Sequence, residues 1–276
     1  MENAIAEITA LLLQSHEVDI SIYEEAFLKR TMNKRLFVTK CIDYSDYFKY
    51  LKTHKSEIDL FLNSLHNGFS EFFRNPLTFS IIEQIILPSV LEKKKNTNEK
   101  ELRIWSAACA AGQETYSISI VFDEMMETCS SKLKCRIFAT DHNQAELSNA
   151  MKGTYQTASI NKVTFKRINK YFTQQGENFT IIPKIKEYID FSVFDLLTKH
   201  GESPPASIYG NFDLIFCSNV LFYYKPEYRF RILEKLSKNL SPGGYLITGE
   251  AEREIVKSFN FREVFLNSAV FQKIRY

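Results

Sequence analysis

This sequence lacks paired cysteines, long apolar runs and an excess of charge of either sign. Its five cysteines form no C-x-x-C pair, and an odd number argues against a disulfide framework, so a reducing cytoplasm is the expected setting. The formal net charge of +2 gives no field that favours nucleic acid or an anionic membrane. The apolar stretches fall short of the ~20 residues that cross a bilayer, and none near the N-terminus suits an export signal. We therefore expect a soluble cytoplasmic protein, with neither nucleic-acid binding nor membrane insertion, and a monomer is the default expectation.

Proline is also missing from residues 1–73, which contain a single glycine. Apolar residues recur there at spacings of three and four, which is typical of amphipathic helices. The sequence therefore predicts an N-terminal helical domain over residues 1–73. Over residues 74–100 it predicts a connecting helix bracketed by Pro76 and Pro88, followed by a solvated linker in the polar run 92–100.

From residue 101 onward, candidate strands and helices alternate along the chain, which is typical of a doubly wound α/β domain with a mostly parallel sheet. Among them are an apolar strand at 212–217 and an amphipathic helix at 226–239. Short candidate strands within 179–194 allow a small antiparallel β insertion, and residues 241–244 resemble a turn. The predicted domain covers residues 101–276.

A loop of small residues, Ala108 to Gly112, follows the first predicted strand of this domain and leads into a helix. Small side chains let a cofactor approach the backbone closely, although the same pattern also suits tight strand–helix packing without a ligand. Asp141 lies 29 residues after Gly112, at the end of the next predicted strand, where a carboxylate can accept hydrogen bonds from both ribose hydroxyls. Together these features indicate a nucleoside cofactor.

The phosphate-binding motifs G-x-G-x-x-G and G-x-x-x-x-G-K-[ST] are both absent. The cofactor is therefore expected to be a nucleoside without phosphates. S-adenosylmethionine fits, because it combines a ribose and an adenine with an amino-acid tail, for which Cys109 to Gly112 leaves room. No metal is expected.

Two further segments could carry chemistry. Arg74, in the stretch FFRNP at 72–76, could orient a carboxylate through a two-pronged hydrogen bond, or could be a surface arginine beside two aromatic rings. The stretch 216–224 follows the central strand and contains no Asp, Glu, His or Lys that could act as a general base. It suits a nucleophile that is already ionised at neutral pH, such as a glutamate carboxylate, although a buried strand end with aromatic packing is the plainer interpretation.

Motifs spread in order along nearly the whole chain carry a family resemblance. They are DIS at 19–21, the basic stretch LKRTMNKR at 28–35, FFRNP at 72–76, IWSA at 104–107, ATD at 139–141, DLIFC at 213–217, NV at 219–220, Tyr223 and LSPGG at 240–244. In this order they resemble the chemotaxis receptor glutamate methyltransferases, the CheR family. The resemblance implies a Rossmann-like class I methyltransferase sheet, mostly parallel with an antiparallel last strand, preceded by a small all-helical domain.

The resemblance also implies methyl transfer from S-adenosylmethionine to glutamates on the coiled-coil cytoplasmic region of a chemoreceptor, with S-adenosylhomocysteine as the product. Arg74 and Tyr223 match residues placed beside the transferred methyl group and the substrate. Cofactor contacts are implied for Ser70, Arg74, Glu114, Asp141, Asp195, Leu196, Cys217 and Ser218, to which the small-residue loop adds Ala108, Cys109 and Gly112. The basic run 29–40, with five positive residues and no acidic one, matches a family helix that faces the acidic receptor, although it could equally be a solvated helix face.

The sequence departs from the family pattern at seven positions. Gly68 and Ser70 stand where the family usually has Asn and Thr, Gln113 and Thr115 where it has Glu and Pro, Ser218 where it has Arg, and Glu250 and Ala251 where it has His and Ser. These departures leave open two other functions. One is a degenerate regulatory module that binds S-adenosylmethionine or S-adenosylhomocysteine, and the other is a methyltransferase that acts on another carboxylate substrate.

Overall fold

The computed structural model of this chain describes residues 2–65, 68–97, 99–128, 133–199, 201–207 and 209–274. The described residues form two compact units, one within Met1–Asn67 and Phe222–Arg229 and the other within Gly68–Leu221 and Phe230–Tyr276. No helix in the described ranges has both the length and the apolar character needed to cross a bilayer.

The first unit is helical. Its helices are α1 (Glu2–His16), α2 (Glu25–Thr39), α3 (Tyr44–Thr53) and α4 (Lys55–Leu65), and a short 3₁₀ turn, Ile20–Ile22, precedes α2. Their apolar faces bury a shared core that includes Ile8 and Phe61. Inside this core Glu57 accepts two hydrogen bonds from Arg35 and one from the Tyr47 hydroxyl, so the cost of burying its carboxylate is offset.

Residues 222–229 join this helical unit through backbone hydrogen bonds. The N–H of Glu24 donates to the carbonyl of Tyr223 at 2.8 Å, and the N–H of Lys225 donates to the carbonyl of Ile22 at 2.9 Å. The unit is therefore made of two stretches that are distant in the sequence.

The second unit is built on β-sheet. In chain order the strands are β1 (Glu101–Ala107), β2 (Lys134–Asp141), β3 (Thr154–Gln156), β4 (Phe172–Gln175), β5 (Asn178–Ile181), β6 (Ile189–Val193), β7 (Phe212–Cys217), β8 (Leu240–Thr248), β9 (Phe261–Glu263) and β10 (Val270–Lys273). The main sheet has the order β6-β2-β1-β7-β8-β10-β9. Strands β6, β2, β1, β7 and β8 run parallel, whereas β10 is antiparallel to both neighbours. The expected sheet with an antiparallel last strand is confirmed.

Helices connect these strands. After α4 the chain forms α5 (Pro76–Ile81), α6 (Leu87–Asn96), α7 (Gln113–Thr128), α8 (Gln144–Lys152), α9 (Phe165–Tyr171), α10 (Pro183–Lys186), α11 (Pro226–Asn239) and α12 (Arg253–Lys257). Helix α8 shows why such elements begin and end where they do. The Asn143 side chain accepts N–H groups of its first turn, and Gly153, with φ of +60°, ends it.

The strand order changes direction between β1 and β7. From β1 the chain continues outward to β2 and β6, and it then returns to β7 on the other side of β1. In open parallel sheets, ligands bind at the carboxyl ends of strands beside such a reversal. The loops that follow β1, β2, β6 and β7 therefore form the edge where a site is expected.

A small antiparallel sheet is inserted between α8 and β6. Its order is β3-β5-β4, and α9 lies between β3 and β4 in the chain. We call residues 154–181 the insertion. The small antiparallel insertion expected from the sequence is therefore present, but the candidate strand at 189–194 lies outside it, because it forms β6 of the main sheet.

Two predictions for the segment before β1 are wrong. The connecting helix does not end at Pro88, because α5, a π-helical stretch (Ile82–Ile86) and α6 follow one another without a break. Pro88 lies in the first turn of α6. Proline has no N–H to donate, and the preceding π turn shifts the backbone hydrogen-bond pattern so that this position can do without one. The polar run 92–100 is helical up to Asn96 rather than a solvated linker, and within it Lys94 is buried and lies 2.8 Å from the Asp213 carboxylate.

The turn predicted at 241–244 is also wrong, because these residues lie inside β8. Phe212 pairs with Leu240 but Leu214 pairs with Tyr245, so the strand bulges between the two pairs. Gly243 has φ of +77°, a conformation that glycine adopts without steric cost.

Candidate active site

The loop between β1 and α7 runs through left-handed backbone conformations. Positive φ values of +59°, +46° and +88° occur at Ala108, Ala110 and Gly112. Larger side chains adopt such values at greater cost, so small residues suit this loop. The N–H of Cys109 donates to the carbonyl of Thr140 at 2.9 Å and thereby ties the loop to β2.

Asp141, the last residue of β2, holds two loops with one buried carboxylate. Its Oδ2 accepts the N–H of Ala110 at 2.9 Å, and its Oδ1 accepts the N–H of Asn143 at 2.9 Å. A carboxylate offers about four acceptor positions, so Asp141 retains capacity for the hydroxyl groups of a ligand. The residue expected to bind ribose therefore lies directly against the small-residue loop.

Glu114, in the first turn of α7, carries a carboxyl group with a perturbed pKa. Desolvation is the largest cause, and together with the nearby Glu252 charge it raises the pKa to about 7. The hydroxyls of Ser218 and Ser106 and the guanidinium of Arg74 act in the opposite direction. The Ser106 hydroxyl donates to Glu114 Oε1 at 3.1 Å. Because this group titrates near neutral pH, a bound cation would readily ionise it.

Two buried thiols line the same region. Burial raises the pKa of the Cys109 thiol well above its usual value, and the charges of Asp141 and Glu114 add to this effect. Burial and the charges of Glu252 and Glu114 do the same at Cys217. A thiol that stays protonated is a poor nucleophile, so both cysteines contribute small apolar surface rather than reactivity.

Glu252, which is not among the residues expected from the sequence, organises the loop after β7. It is fully buried, and its two carboxylate oxygens accept backbone N–H groups at 2.6 to 3.0 Å from Asn219, Val220, Leu221 and Gly249. These donors offset the cost of burying the carboxylate. The available sequence signal was the stretch 249–252, which matches the family at its glycine and at this glutamate.

Arg74 lies in a turn that is fixed from α7. The preceding residue, Phe73, has φ of +48°, and its N–H donates to the Ser117 hydroxyl oxygen at 2.9 Å. The Arg74 guanidinium lies 5.4 Å from the ring centroid of Phe69 and is close enough to Glu114 to lower the pKa of that carboxyl. The structure therefore brings Arg74 to the Glu114 side of the site.

A side chain of α8 occupies the space beside Gly68, one of the positions that depart from the family pattern. A Cβ atom at position 68 would lie 2.5 Å from Glu146 Oε1, so the Glu146 carboxylate occupies the space that the family's asparagine needs. Desolvation and the Asp141 charge raise the pKa of Glu146. A carboxyl group from another element therefore lies where a side chain at position 68 would begin.

The remaining expected residues are placed as follows. Ser70 is partly exposed on the segment that leads to Arg74. Asp195 and Leu196 follow β6, where the exposed Asp195 accepts the N–H of Leu197 at 2.8 Å and Leu196 is buried. Tyr223 belongs to the helical unit, whereas the other expected site residues belong to the second unit.

The charges and acceptors of the site fit S-adenosylmethionine. Asp141, Glu114 and Glu252 supply carboxyl groups, and Arg74 supplies a guanidinium. The cofactor carries an ammonium, a sulfonium and one carboxylate, so its net positive charge suits this surplus of acidic groups. In the described part of the chain, the buried amide oxygen of Gln113 has no hydrogen-bond partner, so it can accept an N–H donor. Within the same residues, no group of three or more His, Cys, Asp or Glu side chains could hold a metal ion.

Comparison with known proteins finds one family in both units. The family model described as "CheR methyltransferase, SAM binding domain" matches residues 68–269, and that described as "CheR methyltransferase, all-alpha domain" matches residues 3–66. Chemotaxis protein methyltransferases of Listeria monocytogenes and Listeria innocua are each 31% identical over 256 residues, which cover 93% of this chain and 92% of each relative. Chemotaxis protein methyltransferase 1 of Pseudomonas aeruginosa is 33% identical over 198 residues, covering 70% of this chain and 69% of the relative.

Replacing Glu114 by Gln should change how stability depends on pH. The folded-state pKa of Glu114 is about 7, whereas a glutamate in the unfolded chain has a pKa of about 4.3, so the unfolded chain loses this proton first. The contribution of Glu114 to the free energy of unfolding is therefore fully present below about pH 4 and is lost as the pH rises through about 7. Relative to the wild type without cofactor, Glu114→Gln should gain roughly 1 to 3 kcal/mol between about pH 5 and about pH 8.

Urea unfolding at a series of pH values measures this difference. Glu92→Gln, at an exposed position of α6, is the matched control. A constant difference in the free energy of unfolding between Glu114→Gln and the wild type across this range would contradict a raised pKa at Glu114.

Proposed function

Because this chain belongs to the CheR methyltransferase family, we propose that it methylates glutamate side chains on the coiled-coil cytoplasmic region of a chemoreceptor. Use of S-adenosylmethionine for methyl transfer follows from the family and its SAM-binding domain. The identity of the acceptor is the proposal. It is supported by the relatives, which are named chemotaxis protein methyltransferases.

The chemistry of the loop after β7 supports a carboxylate as the methyl acceptor. Residues 216–224 contain no Asp, Glu, His or Lys. Two carboxyl groups from other elements contact this loop: Glu252 is held by four backbone N–H groups, and Glu114, which accepts a hydrogen bond from the Ser218 hydroxyl, is assigned below to the cofactor ammonium. An amine or hydroxyl acceptor requires a base to remove a proton. A glutamate carboxylate, with a pKa of about 4.3, is already ionised at neutral pH and needs alignment alone.

The residues at the strand ends would hold the cofactor in distinct ways. Asp141 would accept the ribose hydroxyls, and Glu114 would pair with the ammonium group, which would lower the pKa of Glu114 and keep it ionised. Around them we assign Ser70, Ala108, Cys109, Gly112, Asp195, Leu196, Cys217 and Ser218 to the walls of the cofactor site. Bound S-adenosylmethionine supplies an electrophilic methyl group on a sulfonium, which a carboxylate oxygen can attack in line.

Arg74 would orient the acceptor. A guanidinium donates two parallel hydrogen bonds to a carboxylate, so it fixes both the position and the rotation of the glutamate side chain. Tyr223, whose ring centroid lies 4.7 Å from that of Phe27 in the helical unit, would limit the directions from which the acceptor approaches. Both roles are supported by the match of these residues to the family motifs.

Helix α2 offers a surface that suits an acidic receptor helix. A groove along it is lined by Ala26, Lys29, Arg30, Asn33, Lys34, Phe37 and Val38, and the Phe37 side chain is 87% exposed. Of the five positive residues in the run 29–40, Arg35 instead faces inward to Glu57. A groove that combines basic and apolar side chains fits an amphipathic helix with acidic residues beside its apolar face.

Replacing Arg74 by Ala should abolish methyl transfer while cofactor binding stays detectable. Turnover should fall at least about 100-fold, because the acceptor carboxylate loses its orienting partner. The assay follows transfer of labelled methyl groups from S-adenosylmethionine to a chemoreceptor cytoplasmic fragment, and release of base-labile methanol identifies the ester. Arg136→Ala, which removes an exposed arginine paired with Asp190, is the matched control.

Unchanged turnover in Arg74→Ala would contradict the role of Arg74. If the wild type binds cofactor but methylates no receptor glutamate, the regulatory module becomes the better function.

Reversing the charge of the α2 groove should weaken acceptor binding selectively. Arg30→Glu/Lys34→Glu should raise the KM for the receptor fragment about tenfold or more at low ionic strength, and added salt should reduce the difference from the wild type. Affinity for S-adenosylmethionine should not change. The double variant Lys52→Glu/Lys55→Glu, at exposed positions of the same unit, is the matched control, and an equal effect of both double variants would contradict the assignment.

A further inference from the structure

The insertion packs against the segment that carries Arg74. Two residues before the arginine, the ring of Phe72 is fully buried. It meets the rings of Tyr155 and Phe172, both in the insertion, edge-on with centroids 4.9 Å and 5.5 Å away. One residue earlier, the carboxylate of Glu71 lies 2.6 Å from the ammonium of Lys162, also in the insertion. The approach to Arg74 is therefore anchored on the inserted sheet.

Phe73 has a backbone conformation that is unfavourable for its large side chain. Its φ of +48° is unfavourable for a bulky side chain, so its surroundings must hold it there. Besides its N–H bond to Ser117, its ring meets the ring of Phe79 with centroids 5.4 Å apart. The Arg167 guanidinium covers the same ring, with Cζ 4.3 Å from the centroid. Of these three partners, Arg167 is the one that belongs to the insertion.

Arg167, on α9, is itself fixed from two other elements. One terminal guanidinium nitrogen lies 2.7 Å from a carboxylate oxygen of Glu124 on α7, and 2.7 Å from one of Glu83 in the π-helical stretch. The side chain is 16% exposed, so these ion pairs are partly shielded from water. Because two carboxylates fix its orientation, the planar guanidinium can hold an aromatic ring in place through a cation–π contact.

We propose that Arg167 is a positioning residue for Arg74: by holding the Phe73 ring, it fixes the turn that directs the Arg74 guanidinium towards the cofactor site. The proposal rests on the role of Arg74 proposed above. The insertion would then influence the rate of turnover, because a displacement of α9 would move the turn that carries Arg74.

A purely structural role for Arg167 leads to a different result. If Arg167 only stabilised the fold, its loss would lower the unfolding temperature but leave the turnover of folded protein unchanged. If it positions Arg74, its loss lowers kcat of the folded enzyme while cofactor affinity is kept, because Asp141 and Glu114 are held by other contacts.

The test compares Arg167→Met and Arg167→Lys with Lys170→Met. Lys170 also lies on α9 and pairs with a glutamate of α7, Glu127, so its loss is a matched control. At a temperature where all variants are folded, we would measure kcat, the KM for S-adenosylmethionine and for the receptor fragment, and hydrogen exchange of the amides in 71–76.

We expect Arg167→Met to lower kcat at least about tenfold, with the KM for S-adenosylmethionine changed by no more than about twofold. Exchange of the Phe73 amide should be about tenfold faster, because its turn opens more often. Arg167→Lys keeps a charge for Glu124 without the flat guanidinium, so its kcat should be intermediate, and it serves as the test if Arg167→Met does not fold. Lys170→Met should match the wild type.

Unchanged exchange at Phe73, or faster exchange with unchanged kcat, would overturn the proposal. If the wild type does not methylate the receptor fragment, the proposed function fails, and exchange alone then decides about Arg167. In that case faster exchange in Arg167→Met than in Lys170→Met supports the positioning role, and equal exchange overturns it.

Discussion

Buried carboxylates that accept backbone N–H groups hold the candidate site together. Asp141 ties the loop after β1 to the start of α8, and Glu252 ties the loop after β7 to the end of β8. Loops at the carboxyl edge of a parallel sheet have left the strand ladder, so their N–H groups need other acceptors. By supplying them, these two side chains fix Ala110 and Asn219 in left-handed conformations and set the shape of the site.

The same arrangement concentrates acidic groups in a poorly hydrated place. Desolvation and the Glu252 charge raise the pKa of Glu114 to about 7, so the site favours either a proton or a cationic ligand at this carboxyl. A cofactor with an ammonium and a sulfonium would relieve this unfavourable charge, so the proposed function uses an arrangement that the protein alone would be more stable without. Arg74 is the counterbalancing cation, and the turn that carries it depends on contacts of Phe73 with α7 and the insertion.

Sequence pattern predicted best an unbroken apolar strand and a strongly amphipathic helix. Strand β7 is buried at every residue, and the bounds of β7 and α11 are those expected. The failures occur where long-range contacts override local signals, as where a π turn precedes Pro88 or a bulge absorbs 241–244. In the candidate site, the positions of Asp141 and Glu114 relative to β1 and β2 followed from the chain order. Glu252 could not be found from the chain order, because three of the four N–H groups that define its role lie more than 30 residues away in the loop after β7.

The central claim is that Asp141 organises a site for S-adenosylmethionine at the strand ends, and calorimetric titration tests it most directly. S-adenosylmethionine and S-adenosylhomocysteine would be titrated into the wild type, into Asp141→Asn and into Asp190→Asn, which changes a half-buried aspartate on β6. We predict micromolar binding to the wild type and the Asp190 variant, and affinity about tenfold or more weaker for Asp141→Asn, because an amide cannot replace a charged acceptor. Equal affinity in Asp141→Asn, or neither heat nor thermal stabilisation with either ligand in the wild type, would contradict the claim.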